Sequence, residues 1–226
     1  MTNRFRSEKQ WATTSAKVAA RFCEISMRIL SFSHFHHAAD NVPKRMEMTW
    51  PDFEAYVAVP RKPLPVPLGD DPKKGMAALC PAIFRPGTTR AVTNVLELNL
   101  LCVDFDNSES VPTGEFHLDK TGKSTGRPKM MKVCICDPVS IEDVGAVLRR
   151  SGVDHLLHPS WSDKATWPHF HLILPLAQAI RPELWDRATA WTFKHVGLEP
   201  FLRGVDLPVL KDVARIYFLP GGPNVR

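Results

Sequence analysis

The spacing of apolar residues predicts a helix near the N-terminus, over residues 14–30. One apolar stripe runs along this segment, because its large apolar side chains recur at helical intervals. Those side chains are Val18, Phe22, Ile25 and Ile29. Three further helices are predicted from capping residues and periodicity, over residues 49–57, 140–151 and 181–191. The histidine-rich segment His34-Phe-His-His37 has no regular pattern and is predicted to be a polar loop.

Short apolar runs bounded by Pro, Gly and polar residues predict the strands. They lie at residues 79–84, 98–107, 132–136, 153–158, 169–174 and 213–219. From residue 98 the main elements follow the order strand, helix, strand, strand, helix, strand, which is the RRM- or ferredoxin-like βαββαβ pattern. The predicted fold class is therefore α+β. Its antiparallel sheet has the strand order fourth, first, third, second, and an N-terminal α/β accessory lobe flanks it.

Composition supports a globular protein with a proline-rich connection. The chain has 226 residues and 20 prolines, and residues 59–72 form a predicted extended link. We expect an N-terminal helical and proline-rich lobe over residues 1–78 and a catalytic core over 79–226, or one continuous domain. A formal net charge of +5 is compatible with a polyanionic partner. Without an apolar signal segment or a long apolar run, we expect no membrane contact. Five cysteines without a CxxC pair predict buried thiols and a cytoplasmic location.

Two carboxylates end the most apolar predicted strand. Asp104 and Asp106 are two residues apart, so their side chains point to one face of a strand. Two like charges on one face repel each other unless a cation lies between them, and a divalent metal is the usual solution. The predicted strand order brings the pair His169 and His171, and the region of Asp206 and Asp212, to the same edge. A solvated acidic turn is the alternative, and the convergence favours a metal site.

Residues 108–132 are predicted to be a loop or a long hairpin. Their second half is rich in Lys and Arg, which indicates either a solvated basic surface or contacts with phosphates. The run Gly122-Lys-Ser-Thr125 looks like part of a P-loop, but His117 stands where that motif requires Gly.

Three classes of function compete for these residues. In the first, carboxylates bind two divalent metals for phosphoryl transfer and a histidine contacts a phosphate. In the second, His169 and His171 bind one metal and Tyr217 attacks DNA, because His-Phe-His-Leu-Ile-Leu matches the signature of the HUH endonucleases and replication initiators. In the third, the protein is a non-catalytic replication protein that binds DNA.

The wider pattern of motifs favours the first class. An Asp-x-Asp motif at Asp104 and Asp106 is followed by Pro-His-Phe-His171-Leu-Ile-Leu and then by a lone Asp206. Arg215 precedes a Pro-Gly pair. These motifs, in this order, resemble the archaeo-eukaryotic primase superfamily over residues 79–224, most of all its plasmid- and phage-type primase-polymerase branch. The chain departs from that pattern at His169, where the family favours a small residue.

The resemblance implies a fold of the primase type and a DNA-dependent nucleotidyltransferase. Such an enzyme makes primers on single-stranded DNA in plasmid or phage replication and uses ribo- or deoxyribonucleoside triphosphates. A replicative helicase is a further partner that the resemblance implies. The resemblance also implies that Asp104, Asp106 and Asp206 hold Mg²⁺ or Mn²⁺ and that His171 contacts the incoming nucleotide. Further candidates for nucleotide contacts are Ser160, Ser162 and Arg215, although the serines suit turn roles equally well. Candidates for template contacts are Arg90, Lys120, Lys123, Arg127 and Lys129.

Overall fold

A computed structural model describes residues 28–65 and 71–221 and shows an α+β protein with antiparallel sheets. Most of the helix predicted over residues 14–30 lies outside the described residues. Its last residue, Leu30, begins a strand instead. Within the described part of the chain, no helix is long and apolar enough to cross a membrane.

The strands form two four-stranded sheets and a two-stranded ribbon. In chain order they are β1 (Leu30–Phe35), β2 (Lys44–Met48), β3 (Ala78–Cys80), β4 (Ala82–Phe84), β5 (Val95–Phe105), β6 (Ser108–Leu118), β7 (Ser124–Cys134), β8 (Leu156–Pro159), β9 (Phe170–Ile180) and β10 (Tyr217–Phe218). The first sheet has the order β10-β3-β1-β2, and the second has the order β4-β5-β9-β8.

Four α-helices lie among the described residues, namely α1 (Trp50–Ala58), α2 (Ile141–Ser151), α3 (Trp185–Val196) and the short α4 (Leu207–Lys211). Local sequence sets where α1 and α2 begin. Thr49 and Ser140 cap them by accepting hydrogen bonds from backbone N–H groups of the first turn. Gly152 ends α2 in the left-handed conformation, with φ 63°, which glycine adopts without strain.

The second sheet confirms part of the predicted strand order. β5, β9 and β8 correspond to the predicted first, third and second strands and are neighbours in that order. The prediction for the fourth strand was wrong. Of residues 213–219 only Tyr217–Phe218 is a strand, and it pairs with β3 in the first sheet.

β4 pairs with β5 at the position where the fourth strand was predicted. The single strand predicted over residues 79–84 is divided at Pro81, and its two halves join different sheets. Proline has no N–H to donate to a neighbouring strand, so it interrupts the pairing. The predicted boundary between residues 78 and 79 therefore falls inside β3.

Other boundaries also differ from the predictions. His34 is part of β1 rather than a loop, and β9 continues through Pro175 to Ile180. The basic segment is a hairpin, because β6 and β7 pair with each other from Ser108 to Cys134. The separate strand predicted over residues 132–136 is the end of that hairpin.

The second sheet is buried on both faces. On one face, residues of β5 and β9 pack with α2 and α3 in a first core, where the Phe105 and Phe170 rings stack 4.5 Å apart. On the other face, Leu100, Cys102 and Ile173 pack against the first sheet and α1 in a second core. Because β5 is apolar on both faces, it fits only a central position.

The cysteines are partly as predicted. All four described cysteines are free thiols, and Cys80 and Cys102 are buried, whereas Cys134 is half-buried and Cys136 is exposed.

One buried side chain ties three segments to the end of β5. Asn107 has the left-handed φ of 47° and is fully buried. Its amide donates to the carbonyls of Val139 (2.9 Å) and Pro168 (2.8 Å), and its side-chain oxygen accepts from the Val139 N–H (2.8 Å). The Asn107 N–H donates to the Gly204 carbonyl at 3.0 Å. The polar end of β5 is thereby held against the segments that lead to β9 and α4.

We expect Asn107→Ala to lower the free energy of unfolding by about 3 kcal/mol or more, because buried backbone groups lose their partners. Urea denaturation measures the change. Asn94→Ala is the matched control, since it removes one surface hydrogen bond to Thr89, and it should cost about 0.5–1 kcal/mol. Equal losses in the two variants would contradict the role of Asn107.

Candidate functional site

The candidate site lies at the C-terminal end of β5. Asp104 stands directly opposite His171 of β9 in the antiparallel register. Both side chains lie on the face of the sheet that carries Cys102 and Ile173, because side chains alternate along a strand. The Asp104 carboxylate is 3.6 Å from Nε2 of His171.

Asp206 reaches the same place from the C-terminal part of the chain. Val205 forms an isolated bridge with Phe105, and the Asp206 N–H donates to the Asp104 carbonyl at 3.0 Å. The Asp206 side chain also accepts from the Val209 N–H at 3.2 Å, as the N-cap of α4. Its backbone position is thus fixed by the end of β5 and by α4.

Asp106 is the most strongly neutralised of the three carboxylates. Nδ1 of His169 donates to it at 2.9 Å, and Ser108 and Lys132 also donate to it. The hydrogen bond from His169, followed by those from Lys132 and Ser108, holds the pKa of Asp106 well below its usual value against the effect of burial.

Lys132 bridges two of the carboxylates. Its Nζ bonds to Oδ2 of Asp106 and lies 3.3 Å from Oδ2 of Asp206. The lysine side chain is 55% exposed, whereas those of Asp106 and Asp206 are only 18% and 17% exposed. A single ammonium therefore enters from the solvent side and lies between two partly buried acids, in the position where a bridging cation would bind.

Asp104 lies in an environment that disfavours its ionised form. Burial, followed by repulsion from Asp106 and Asp206, raises the pKa of Asp104 to about 6, and the positive charges of Arg215 and Lys73 only partly offset this. Neighbouring carboxylates with pKa values displaced in opposite directions are typical of functional sites.

Two neutral histidines, on β9 and β8, continue a row of side chains that begins with Asp104 on β5. His158 of β8 stands opposite His171, and their rings are 5.0 Å apart. Burial lowers the pKa of each to about 3, so both are neutral near pH 7. Nδ1 of His171 is buried and has no hydrogen-bond partner in the described structure. An unsatisfied buried nitrogen in the middle of this row, between Asp104 and His158, indicates a place for a ligand.

Two other predicted nucleotide contacts border this group. Ser162 accepts a hydrogen bond from Lys73 at 3.3 Å, and Arg215 is close enough to affect the pKa of Asp104 and His171. Ser160 has a turn role, since its hydroxyl accepts from the Ser162 N–H at 3.3 Å. A nucleotide contact by Ser162 stays a prediction.

The predicted template contacts lie elsewhere. The guanidinium of Arg90 lies over the Phe35 ring, 5.7 Å from its centroid, and the backbone N–H of Arg90 donates to the Asn41 carbonyl. The four other predicted cations lie on the hairpin, in its tip or in β7. Lys120, Lys123 and Arg127 are exposed, and Lys129 is half-buried. The structure does not bring any of these five into contact with the carboxylates.

Tyr217, the proposed nucleophile of the HUH alternative, is buried with 4% of its surface exposed. Its hydroxyl donates to the Cys102 carbonyl at 2.9 Å. Burial raises the pKa of Tyr217 well above its usual value. The phenol is therefore a structural group in the second core and not an accessible nucleophile.

Sequence reasoning missed several residues of the site. The sequence predicts Lys132 as part of a basic segment and as the start of a strand, but not as a partner of Asp106, because the pairing of β6 with β7 that brings them together leaves no local signal. Lys73 follows the proline-rich connection, and nothing in its sequence context indicates the carboxylates. His158 had a usable signal, since it ends a predicted strand expected to lie beside the strand of His171.

The oxygen donors at this site suit a hard divalent cation such as Mg²⁺ or Mn²⁺. Among the described residues, no group of three His, Cys, Asp or Glu side chains already has the geometry of a metal site. Lys132 instead balances the charge of Asp106 and Asp206, so a cation that used both carboxylates would have to displace it. The oxygen donors therefore fit such a metal once Lys132 has moved away from Asp106 and Asp206.

Comparison with known proteins adds no assignment: no family model matches the chain, and neither a curated protein nor a solved structure shows a significant match.

We expect Asp104→Asn to stabilise the fold above pH 6. The folded-state pKa of about 6 exceeds the ordinary value of 3.8, so the ionised carboxylate destabilises the folded protein as pH rises through this range. The variant should gain about 1–2 kcal/mol in free energy of unfolding at about pH 8 and little at about pH 4. Urea denaturation at both pH values tests this, with Glu54→Gln on the exposed surface of α1 as the control. A gain independent of pH would contradict the proposed repulsion.

Proposed function

We propose that this protein is a metal-dependent nucleotidyltransferase that synthesises RNA or DNA primers on a single-stranded DNA template, in plasmid or phage replication. The observation that carries the proposal is the convergence of Asp104, Asp106 and Asp206 at one end of β5. Asp104 lies in β5, Asp106 directly follows that strand, and Asp206 comes from a segment about a hundred residues further along the chain. His171 faces this cluster from the neighbouring strand.

The proposed cofactor is Mg²⁺ or Mn²⁺, held by Asp104, Asp106 and Asp206. When bound, a pair of such ions supplies activation of the attacking hydroxyl and neutralisation of the leaving pyrophosphate. The chain itself orients the acids, through the strand register at Asp104 and through the backbone hydrogen bond from Asp206 to Asp104.

The proposed nucleotide-binding surface lies beside Asp104. His171 is buried and neutral, so it can donate a hydrogen bond to a phosphate oxygen without adding charge. Lys73 and Arg215 supply positive charge near the same place, and Ser162 binds the Lys73 ammonium. Burial of His171 and Asp104 limits water around these groups, which strengthens electrostatic contacts with a triphosphate.

The proposed template contacts are the cations of the hairpin, with Arg90 as a further candidate. Such contacts would make binding of single-stranded DNA decrease with salt. A replicative helicase is a proposed partner on the strength of the resemblance alone.

The HUH endonuclease alternative has weaker support. His169 and His171 lie on one face, but each is directed at a different carboxylate, Asp106 and Asp104 respectively. Tyr217 is buried and hydrogen-bonded within the second core. A DNA phosphate would reach the phenol only after that core had opened.

We expect the double substitution Asp104→Ala with Asp106→Ala to reduce nucleotide incorporation at least about a hundredfold, because both proposed metal ligands at the end of β5 are lost. Labelled nucleotides, Mn²⁺ and a single-stranded template provide the assay, and circular dichroism checks the fold. The control is Glu54→Gln on α1, which should retain activity. Persistent primer synthesis in the double variant would contradict the mechanism. Template binding without incorporation by the wild-type protein would favour the non-catalytic replication protein.

We expect Tyr217→Phe to retain nucleotide incorporation within about twofold. The substitution removes the hydrogen bond to Cys102 and should lower the free energy of unfolding by about 1 kcal/mol. Incubation of wild-type protein with single-stranded DNA, followed by denaturing electrophoresis, should reveal no covalent adduct. An adduct that disappears in Tyr217→Phe would support the endonuclease instead.

A further inference from the structure

The hairpin formed by β6 and β7, called the ribbon below, is exposed along most of its length. Its two strands pair only with each other, over Ser108–Leu118 and Ser124–Cys134. Nearly all its side chains beyond the base are exposed. A two-stranded ribbon with so little support is marginally stable alone in water, and a bound partner would stabilise it.

The base of the ribbon is attached directly to the carboxylate cluster. Ser108, its first residue, donates to Asp106, and Lys132, near its end, bonds to Asp106 and lies 3.3 Å from Asp206. A displacement of the ribbon base would therefore move the ammonium that neutralises these two acids.

The distal part of the ribbon carries positive charge without acidic partners. Among the described residues, Lys120, Lys123 and Arg127 form no ion pair. Lys129 is already paired with Glu115 at 2.9 Å. The Asp119 carboxylate accepts instead from Thr121 and from the Lys123 N–H of the turn. The three unpaired cations are therefore available for an anionic ligand.

Exposed apolar side chains lie on the same ribbon. Phe116 and Leu118 are 49% and 62% exposed, and Met130 is 51% exposed. Unpaired cations beside exposed aromatic and apolar side chains fit a nucleic-acid single strand, whose phosphates and unstacked bases each find a complementary group. A duplex would offer its phosphates but keep its bases stacked.

We propose that the ribbon binds single-stranded nucleic acid and that this binding withdraws Lys132 from Asp106 and Asp206, which frees both carboxylates for a divalent cation. The inference rests on the proposed metal-dependent function. Lys132 and a divalent cation compete for the same Oδ2 atoms, because two cations cannot share that position. Linkage then requires nucleic acid to tighten cation binding, and the cation to tighten nucleic-acid binding by the same factor.

The test measures Mn²⁺ binding by electron paramagnetic resonance, without nucleotides and hence without turnover. We expect Lys132→Met, which removes the charge at similar length, to bind Mn²⁺ about tenfold more tightly than wild type. Lys132→Arg keeps the charge and should remain close to wild type. Lys194→Met, at an exposed position on α3, is the matched control.

The second arm of the test adds oligothymidylate or oligouridylate, and the comparison of the two distinguishes DNA from RNA as the ligand. Either single strand should tighten Mn²⁺ binding to wild type several-fold and leave Lys132→Met unchanged. The triple substitution Lys120→Ala, Lys123→Ala and Arg127→Ala should abolish the response. A duplex of the same length should act weakly.

The outcomes separate this inference from the proposed function. Equal Mn²⁺ affinity in wild type and Lys132→Met, or an equal response of both to the single strand, would overturn the coupling and leave the metal-dependent function intact. Absence of Mn²⁺ binding in every variant would overturn the metal-dependent function and the coupling with it.

Discussion

The antiparallel pairing of β5 with β9 is the interaction on which the candidate site depends. It sets Asp104 opposite His171 and Phe105 opposite Phe170, whose rings stack in the first core. Because side chains alternate along a strand, a slip of one residue would turn Asp104 into that core and Phe105 out of it. Burial on both faces of β5 makes such a slip very unfavourable. The packing of apolar side chains thereby determines which polar side chains meet.

The three carboxylates are compensated unequally, and this inequality characterises the site. Asp106 receives donors from His169, Ser108 and Lys132, so it remains ionised. Asp104 has no such set of donors among the described residues, and Nε2 of His171 is 3.6 Å away, so repulsion acts on Asp104 with less compensation. The uncompensated repulsion lowers the stability of the folded protein at this site, a cost that proteins commonly carry where function requires it.

The ribbon explains why a lysine takes part in this balance. Asp106 and Lys132 are separated by 26 residues, and the hairpin between them brings them into contact again. The ammonium neutralises charge that would otherwise destabilise the cluster. Under the proposed coupling, it also makes cation binding at Asp106 and Asp206 dependent on the position of the ribbon. The same segment thus links an exposed basic surface to a partly buried acidic site.

The sequence by itself determined the local elements and the main candidates. Capping residues predicted α1 and α2, alternation and apolar runs predicted β5, β8 and β9, and the Asp-x-Asp spacing indicated the carboxylates. Only the tertiary structure decided that β10 leaves the central sheet, that Tyr217 is buried, and that Lys132 bridges two acids. The reason is physical. Helix caps and apolar periodicity involve residues that are close together in the sequence. The change from one sheet to the other at Pro81, and the contact between Lys132 and Asp106 across the ribbon, depend on pairing between distant segments. Such pairing leaves no local pattern.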